Sequence, residues 1–296
     1  MDTHDPLGFA NPKGDGYWKN HPHLPIYTIP YRILYNPKFG NLFFAGRCSS
    51  VTHMALGSVR LESTLAALGQ VCGTAAALCV RYDESAKSFG EKHIKMLQQR
   101  LLKDDMYIPG VVNEDPRDLA RKAKVTASSS QDRIYFREMP VLKWIIGKFK
   151  TAFENKKDKD RPGWLYAQGA SPSDVIDGTT RIFEDEAHAW GSDGKQPLPQ
   201  SIMLEWEKPV DAFHIQVTFN SDLMPAAPPA MPHQLVKSYA VEVRSDGVWT
   251  QVAAETENWR RMVRHWFKKR KIDAVRITCF ETWGDSSAQI FEVRVY

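Results

Sequence analysis

The stretch that decides the fold of the first part of this chain is NLFFAGR, at positions 41–47. The run 41–45 is short, continuous and apolar and ends at Gly46, a pattern that predicts a buried strand followed by a turn. Because glycine has no Cβ, the backbone at this turn can approach a ligand closely. A helix that opens behind such a loop offers free N–H groups to an anionic or electron-rich group.

A long helix is predicted behind this turn. From Arg60 to about Arg81 the sequence consists mainly of strong helix formers and contains no proline. Gly69, Gly73 and the alanines at 75–77 make this helix thin, so that backbone or a flat ring can pack against it. A second helix is predicted over Glu84 to Leu102, where apolar residues recur near helical spacing.

The composition is that of a globular protein with room for two domains. The chain has 296 residues, of which 43% are hydrophobic and 25% are charged, so wholesale disorder is excluded. The net charge of +4 does not indicate a nucleic acid or an anionic membrane as partner. Four cysteines without a CxxC pair argue against a disulfide framework and a structural zinc site. The apolar stretch from Leu65 to Val80, about 16 residues long, is too short to favour a membrane span.

The texture of the sequence changes after residue 112. Short alternating runs separated by turn signals such as Asp246-Gly247 predict an all-β sandwich or barrel. We therefore expect an α+β multidomain chain, with an α/β unit (a strand plus long helices) followed by an all-β unit. The predicted domains are residues 1–112 and 121–296, with a linker at 113–120 and an insertion at about 131–168. The strands are predicted at 123–128, 201–206, 212–219, 239–244, 249–253, 274–280 and 289–296.

Several motifs in series resemble one family. The segment from Met1 to Gly110 resembles the C-terminal end of bacterial FAD-dependent oxidoreductases of the glutathione-reductase-like superfamily. The resemblance implies that the strand–glycine turn meets the flavin and that the following helix start faces its ring. The matching motifs are MDTHDP (1–6), IPYR (29–32), NLFFAGR (41–47), 52–60 and 69–77.

By position, the resemblance implies roles for individual residues. It places Ala45, Gly46, Arg47, Gly57 and Ser58 at the cofactor, FAD. It makes His53, Arg60 and His4 the catalytic candidates.

The same residues have plainer interpretations. Many relatives have an acidic residue where this chain has Arg47, which puts the usual ribityl hydrogen bond in doubt. Arg60 at a helix start opposes the helix dipole unless it faces an anion. The histidines at 53 and 4 titrate near neutral pH, but a hydrogen-bonded structural histidine at 53 and a solvated one at 4 remain alternatives.

The superfamily's strand–GxGxxG–helix segment, which holds the ADP half of FAD, is missing from this sequence. We therefore expect a fragment, a truncated reading frame or one subunit of a split enzyme, which binds FAD poorly by itself. The implied partner is a missing FAD-domain subunit or a second copy in a homo-oligomer.

The second part resembles the discoidin, or coagulation-factor type C, domain, a galactose-binding-like fold, and this resemblance implies an all-β jelly-roll sandwich. Its motifs include 123–129, VIDG (175–178), 189–192, 201–206 and 292–296. The resemblance makes Trp190, Trp206 and Trp249 mainly core residues. The turn at Asp177 corresponds to one that often lies near a structural calcium in relatives, but here the turn offers a single carboxylate as a ligand. Candidates for glycan contact are His188, Trp259, Arg260, His265 and Trp283.

The basic segment RRMVRHWFKKRK (260–271) is interpreted as a solvated hairpin rim in preference to a nucleic-acid surface.

Two functions follow as hypotheses. The first is an FAD-dependent oxidoreductase, or part of one, that transfers hydride from a small-molecule substrate to flavin, with a sugar or glycoside favoured by the attached sandwich. The alternative is a non-catalytic carbohydrate-binding or scaffold module that carries a vestigial flavin-domain segment. No metal, nucleic-acid or membrane partner is expected. Residues 1–20 have no apolar leader segment, and the localisation stays open between cytoplasm and periplasm.

Overall fold

The computed structural model describes residues 27–137, 164–183, 186–221 and 231–296. The chain forms two compact units, Met1–Val111 and Val112–Tyr296. The domain limits assigned from the sequence stay a prediction, and most of the predicted insertion lies outside the described residues.

The described part of the first unit is built on three helices: α1 (His53–Val59), α2 (Glu62–Tyr82) and α3 (Ala86–Lys103). Helices α2 and α3 lie where the sequence predicts two helices. The connection between them is tight, because Asp83 adopts a left-handed conformation (φ 51°) and the Ser85 side chain caps α3 by accepting from the Ser88 N–H. The two helices bury a small apolar cluster made of Ala75, Cys79, Phe89, Leu97 and Leu101.

The prediction of a strand over 41–45 is wrong, because these residues do not form a β-ladder. Among the described residues only Phe43 of this run pairs, through a single bridge with Tyr35, and Leu42 is exposed. The reason is local: Tyr31–Leu34 forms a 3₁₀ turn, so the chain before 41–45 does not run extended beside it.

Helix α2 is the one described helix that is long and apolar enough to cross a membrane. It is longer than the apolar stretch counted from the sequence because it also includes residues 62–64, 81 and 82. Length and composition are properties that core helices of soluble proteins share. Four residues of α2 are buried within the unit: Leu68, Cys72, Ala75 and Cys79.

The second unit is an antiparallel sandwich, which confirms the predicted fold class. Its hairpin turn at Asp246-Gly247 has φ values of 51° and 77°, as a two-residue turn between antiparallel strands requires. The strands are β1 (Lys124–Ala127), β2 (Arg133–Arg137), β3 (Trp164–Gln168), β4 (Trp190–Gly191), β5 (Gln200–Phe219), β6 (Val236–Ser245), β7 (Val248–Glu255), β8 (Met262–Thr282) and β9 (Gln289–Val295).

Two long strands connect the layers of the sandwich. The first part of β5 pairs with β1 and with the second part of β8, while its later part pairs with β9 and with the first part of β8. A register shift between Glu205 and Val210 marks the bend. One layer therefore has the order β1–β5–β8–β6–β7 and the other β4–β9–β5–β8. Strands β2 and β3 pair separately.

The core lies between these layers. Ile202 and Leu204 from the first part of β5, and Ile215 and Val217 from its later part, are fully buried in one cluster. The alternation of buried and outward residues along each strand is what the sequence pattern predicts.

Residues 113–120, assigned to a linker from the sequence, pack within the second unit. Asn113 and Asp118 are buried, and their side chains are joined by a 2.8 Å hydrogen bond. The Asp118 carboxylate also accepts from the Val295 N–H at 3.1 Å. This segment is polar because it makes buried hydrogen bonds, which satisfy groups that would otherwise be costly to bury.

Candidate functional site

The turn that the resemblance places at the flavin lies on the surface of the first unit. Ala45 and Arg47 are exposed, and Gly46 has a φ of +69° with no atom within 4 Å of the position that a Cβ would take. The turn is held from behind, since the Phe44 N–H donates to the Leu34 carbonyl at 2.7 Å. Backbone that is left-handed and open on its outer side is accessible to a flat ligand.

Helix α1 follows this turn. The Thr52 side chain caps it by accepting from the Ala55 N–H at 3.3 Å. His53 is exposed and Gly57 is buried. Arg60 is the C-terminal cap of α1 and directly precedes Leu61, the N-cap of α2, so it lies between the negative end of one helix dipole and the positive end of the next. The long helix begins two residues later, at Glu62.

Two of the predicted site residues fall beyond this description. His4 lies outside the described residues, and so does the side chain of Ser58. The roles assigned to His53, Arg60, Ala45, Gly46, Arg47 and Gly57 stay predictions.

A cavity of about 390 Å³ lies in the first unit, between α2, α3 and the segments 27–34 and 106–109. Its walls are mainly apolar and include Leu68, Val71, Leu97 and Leu101. None of the residues predicted at the flavin lines it. The described residues around Gly46 and α1 therefore offer one open surface and do not enclose a cofactor by themselves.

In the sandwich, the loop between β7 and β8 presents Trp259, which is 66% exposed. Its neighbour Asn258 is buried and clamps the loop. The Asn258 side chain donates to the carbonyls of Val236 and Arg260 at 2.8 and 3.0 Å and accepts from the Arg260 N–H at 3.0 Å. The Arg260 guanidinium lies over the Trp259 ring at 4.9 Å. The tryptophan is thus held out from the surface by a rigid loop.

Trp283 supports the same loop from the side. Its Nε1–H donates to the Asn258 carbonyl at 2.7 Å, and the Lys237 ammonium lies 5.3 Å from the centre of its ring. Lys237 is in turn paired with Glu257 and Glu281 at 3.4 and 3.2 Å. Of the candidates for glycan contact, Trp259, Arg260 and Trp283 are brought together here.

The other two candidates lie elsewhere. His265 is on β8 and faces inward, with its Nε2 3.0 Å from the Tyr239 hydroxyl, and burial lowers the pKa of its imidazole. His188 binds Asp177 through its Nδ1 at 2.7 Å and lies 3.5 Å from Glu186. The hydrogen bond to Asp177 raises the pKa of His188.

The turn at Asp177-Gly178 corresponds to the turn that lies near calcium in relatives. In this chain its groups make contacts with other protein groups. Gly178 has a φ of +91°, and a Cβ there would come within 2.8 Å of the Asn113 nitrogen, so only glycine fits. The Asp177 carboxylate accepts from the Thr179 N–H at 2.7 Å as well as binding His188. Across the described parts of the chain, no group of three or more His, Cys, Asp or Glu side chains is placed to hold a metal.

The tryptophans expected in the core divide into two kinds. Trp190 and Trp206 are buried, and their indole N–H groups donate to the carbonyls of Ser129 and Leu119 at 3.0 and 2.9 Å. Trp249 is only partly buried, and its ring centre lies 4.4 and 5.4 Å from the guanidinium carbons of Arg276 and Arg244. Its assignment to the core is wrong, because an outward position on β7 lets it stack with cations.

Comparison with known proteins supports the first unit's resemblance. Residues 1–101 match the family model described as FAD dependent oxidoreductase, so the resemblance stated from the motifs is confirmed for this segment. No curated protein matches the sequence.

The solved structures that resemble this chain cover its sandwich. One is chitosan-binding module 1 from a chitosanase/glucanase of Paenibacillus sp. IK-5, at 17% identity and a TM-score of 0.39, covering 60% of this chain and 98% of that one. Another is the family 32 carbohydrate-binding module of NanJ from Clostridium perfringens, in complex with galactose, at 18% identity and a TM-score of 0.38, covering 60% and 94%. The sandwich assignment itself rests on the strand pairings described above.

Proposed function

We propose that this chain supplies the C-terminal part of an FAD-dependent oxidoreductase and that its sandwich binds carbohydrate. The observation that carries the first half is the family match over residues 1–101. This range includes the Gly46 turn and α1, the two features to which the resemblance assigns flavin contacts.

The geometry supports an incomplete cofactor site. Arg47 and His53 are exposed and Gly46 is half-buried, and the cavity between α2 and α3 has other walls. A chain that offers one side of a flavin site needs the other side from a dinucleotide-binding half, encoded next to it or carried by another subunit. The redox chemistry belongs to the cofactor, while this chain contributes a backbone turn and the side chains of α1.

The visible absorbance of the purified chain with added FAD tests this proposal. We expect no bound flavin bands for the chain alone. We expect such bands, bleached by substrate, when a GxGxxG-bearing half from the adjoining reading frame is co-expressed. A folded complex of the two parts that stays colourless with excess FAD would refute the proposal.

A matched pair of glycine variants locates the contact. Gly46→Ala and Gly110→Ala each place a Cβ in open space at a left-handed backbone position, with φ values of +69° and +73°. The backbone strain is therefore similar in the two variants, about 1 kcal/mol or slightly more. Only Gly46→Ala should weaken FAD binding by the two-part complex, and equal weakening by both would remove Gly46 from the site.

The Trp259 loop favours the second half of the proposal. An exposed ring on a clamped loop can stack on a sugar face without losing much side-chain entropy. Binding of the full-length chain to an array of neutral glycans is the measurement. Trp259→Ala should abolish the signal, whereas Trp266→Ala, which removes another exposed tryptophan, should keep it. If the chain binds no glycan on the array while the two-part complex shows flavin-dependent turnover, the sandwich has an architectural role.

Glycan binding without flavin binding by the two-part complex would instead favour the alternative function, a binding module that carries a vestigial flavin segment.

A further inference from the structure

A second exposed tryptophan lies on the outer face of the layer that contains the later part of β5. Trp266 on β8 is 63% exposed, and its ring stacks on that of His214 with centroids 4.7 Å apart and planes 11° apart. His214 stacks in turn on Tyr296 at 5.5 Å and 17°, and both are buried. One face of the Trp266 ring is therefore fixed against the protein while the opposite face is open to solvent.

A β-bulge places another exposed ring next to His214. The N–H groups of Phe213 and His214 both donate to the Tyr296 carbonyl, at 2.7 and 3.0 Å, so two residues of β5 oppose one residue of the neighbouring segment. Such a bulge re-aims a side chain. Phe213 is 45% exposed, and its ring centre lies 6.5 Å from that of His214.

Cationic side chains border these rings. Arg264 precedes Trp266 by two residues on β8 and shares its face, since His265 between them faces inward to Tyr239. The Arg264 Nε–H donates to the Gln216 side chain at 3.2 Å, which positions the guanidinium. Lys268 follows two residues after Trp266 and is exposed.

The charge along this segment of β8 is one-sided. The segment 260–271 contains seven Lys and Arg residues and no Asp or Glu. It forms a strand rather than the predicted hairpin rim, because Met262–Ile272 pairs with β5. On β9, which pairs with the other side of β5, Glu292 is buried and its carboxylate accepts from the Arg294 Nε–H at 2.6 Å, so it presents no negative charge at the surface.

We propose that this surface binds an acidic polysaccharide. A sugar ring would stack on the open face of Trp266, and carboxylates on neighbouring sugars would pair with Arg264 and Lys268. Guanidinium and carboxylate match in geometry, and the fixed ring reduces the entropy lost on binding. We name this surface the β8 patch and define it as Phe213, Arg264, Trp266 and Lys268.

The arrangement fits a polysaccharide better than a nucleic acid. Single strands of nucleic acid bind along basic grooves in which several aromatic rings stack successive bases. The β8 patch lies on a sheet face with one fixed platform, and the net charge of the whole chain is only +4. The proposal depends neither on flavin binding nor on the Trp259 loop.

Affinity electrophoresis and calorimetry of the full chain with polygalacturonate test the proposal. We expect binding that weakens as salt is added. We expect Trp266→Ala and Lys268→Glu each to weaken it by about tenfold or more, as the loss of a stacking or charge contact implies. Phe280→Ala is the matched control, since it removes another exposed aromatic side chain of β8 that lies outside the patch, and it should leave the affinity unchanged.

Lys268→Glu keeps the proposal testable if Trp266→Ala fails to fold, because Lys268 is exposed and its replacement leaves the core intact. Three outcomes would overturn the proposal. These are no polygalacturonate binding at low salt, equal binding by wild type and Lys268→Glu, and binding of poly(dT) at least as tight as that of polygalacturonate.

Discussion

At the scale of the residue, the imidazole of His188 lies close to several carboxylates. Asp177 binds its Nδ1 at 2.7 Å and Glu186 lies 3.5 Å from its Nε2, with Asp174 contributing a further negative charge. Burial raises the pKa of Asp174 to about 6. The folded state therefore favours a protonated His188, held mainly by the bond to Asp177.

Replacing Asp177 tests this linkage. Because the pKa of His188 is raised on folding, its contribution to stability is present below about pH 6.5, the ordinary histidine value, and is lost as pH rises through the raised value. Asp177→Asn should lower the free energy of unfolding by about 1 kcal/mol at acidic pH and by less at alkaline pH. Urea unfolding at several pH values and an NMR titration of His188 are the measurements.

Glu186→Gln is the graded control, since this carboxylate is farther from the imidazole and exposed. It should lower the pKa of His188 less than Asp177→Asn does. An unchanged His188 titration in Asp177→Asn would contradict the assignment.

At the scale of the element, two glycines on neighbouring helices differ in what surrounds them. A Cβ at Gly90 of α3 would overlap with the Tyr31 ring, whereas a Cβ at Gly73 of α2 would meet open space. The Tyr31 hydroxyl also donates to the Ala86 carbonyl at 3.0 Å. Gly90 is thus the point where the Tyr31 segment packs closely onto α3.

Alanine substitutions should therefore act in opposite directions. Gly90→Ala should destabilise the first unit by about 1–3 kcal/mol, through overpacking against Tyr31. Gly73→Ala should be stabilising by up to about 1 kcal/mol, because alanine is the better helix former. Thermal unfolding followed by circular dichroism measures both, and a loss of stability in Gly73→Ala would mean that this face of α2 needs a close neighbour.

The sequence predicted those helices and strands whose pattern of apolar residues lies within one short segment. The helices α2 and α3 and the alternating strands followed from periodicity. The long strands β5 and β8 did not, because each bends from one layer into the other. For β5 the sequence shows two short runs on either side of the bend at 205–210, and for β8 it shows only the run 274–280. The 41–45 strand failed because a ladder depends on a partner segment, and Tyr31–Leu34 turns instead.

The candidate sites likewise divide into residues that the sequence predicts and residues whose position depends on contacts between distant segments. Trp259, Arg260 and Trp283 were predicted as glycan contacts and meet at one loop, held by Asn258. Trp266 and Phe213 were missed, since their exposure depends on a stack with His214 and on a bulge opposite Tyr296. The interleaving of aromatic and basic residues at 264–268 was the one signal in the sequence that pointed to this surface.

At the scale of the whole molecule, the two units differ in how much they bury. The sandwich has one large apolar cluster contributed by both layers and by the segment before β1. The described part of the first unit has two smaller clusters, around Phe89 and around Leu34, and a cavity beside them. Because stability grows with the apolar area buried, the sandwich should be the more stable of the two.

Expression of residues 112–296 alone tests that difference. We expect a cooperative urea transition at the same midpoint as the sandwich transition of the full chain, because its core and its buried Asn113–Asp118 pair lie entirely within it. Residues 119–296, which lack that pair and the Asp118 bond to Val295, should unfold at lower urea. Equal midpoints for the two truncations would contradict the role given to residues 113–118. A non-cooperative transition for 112–296 would mean that the sandwich needs the first unit to fold.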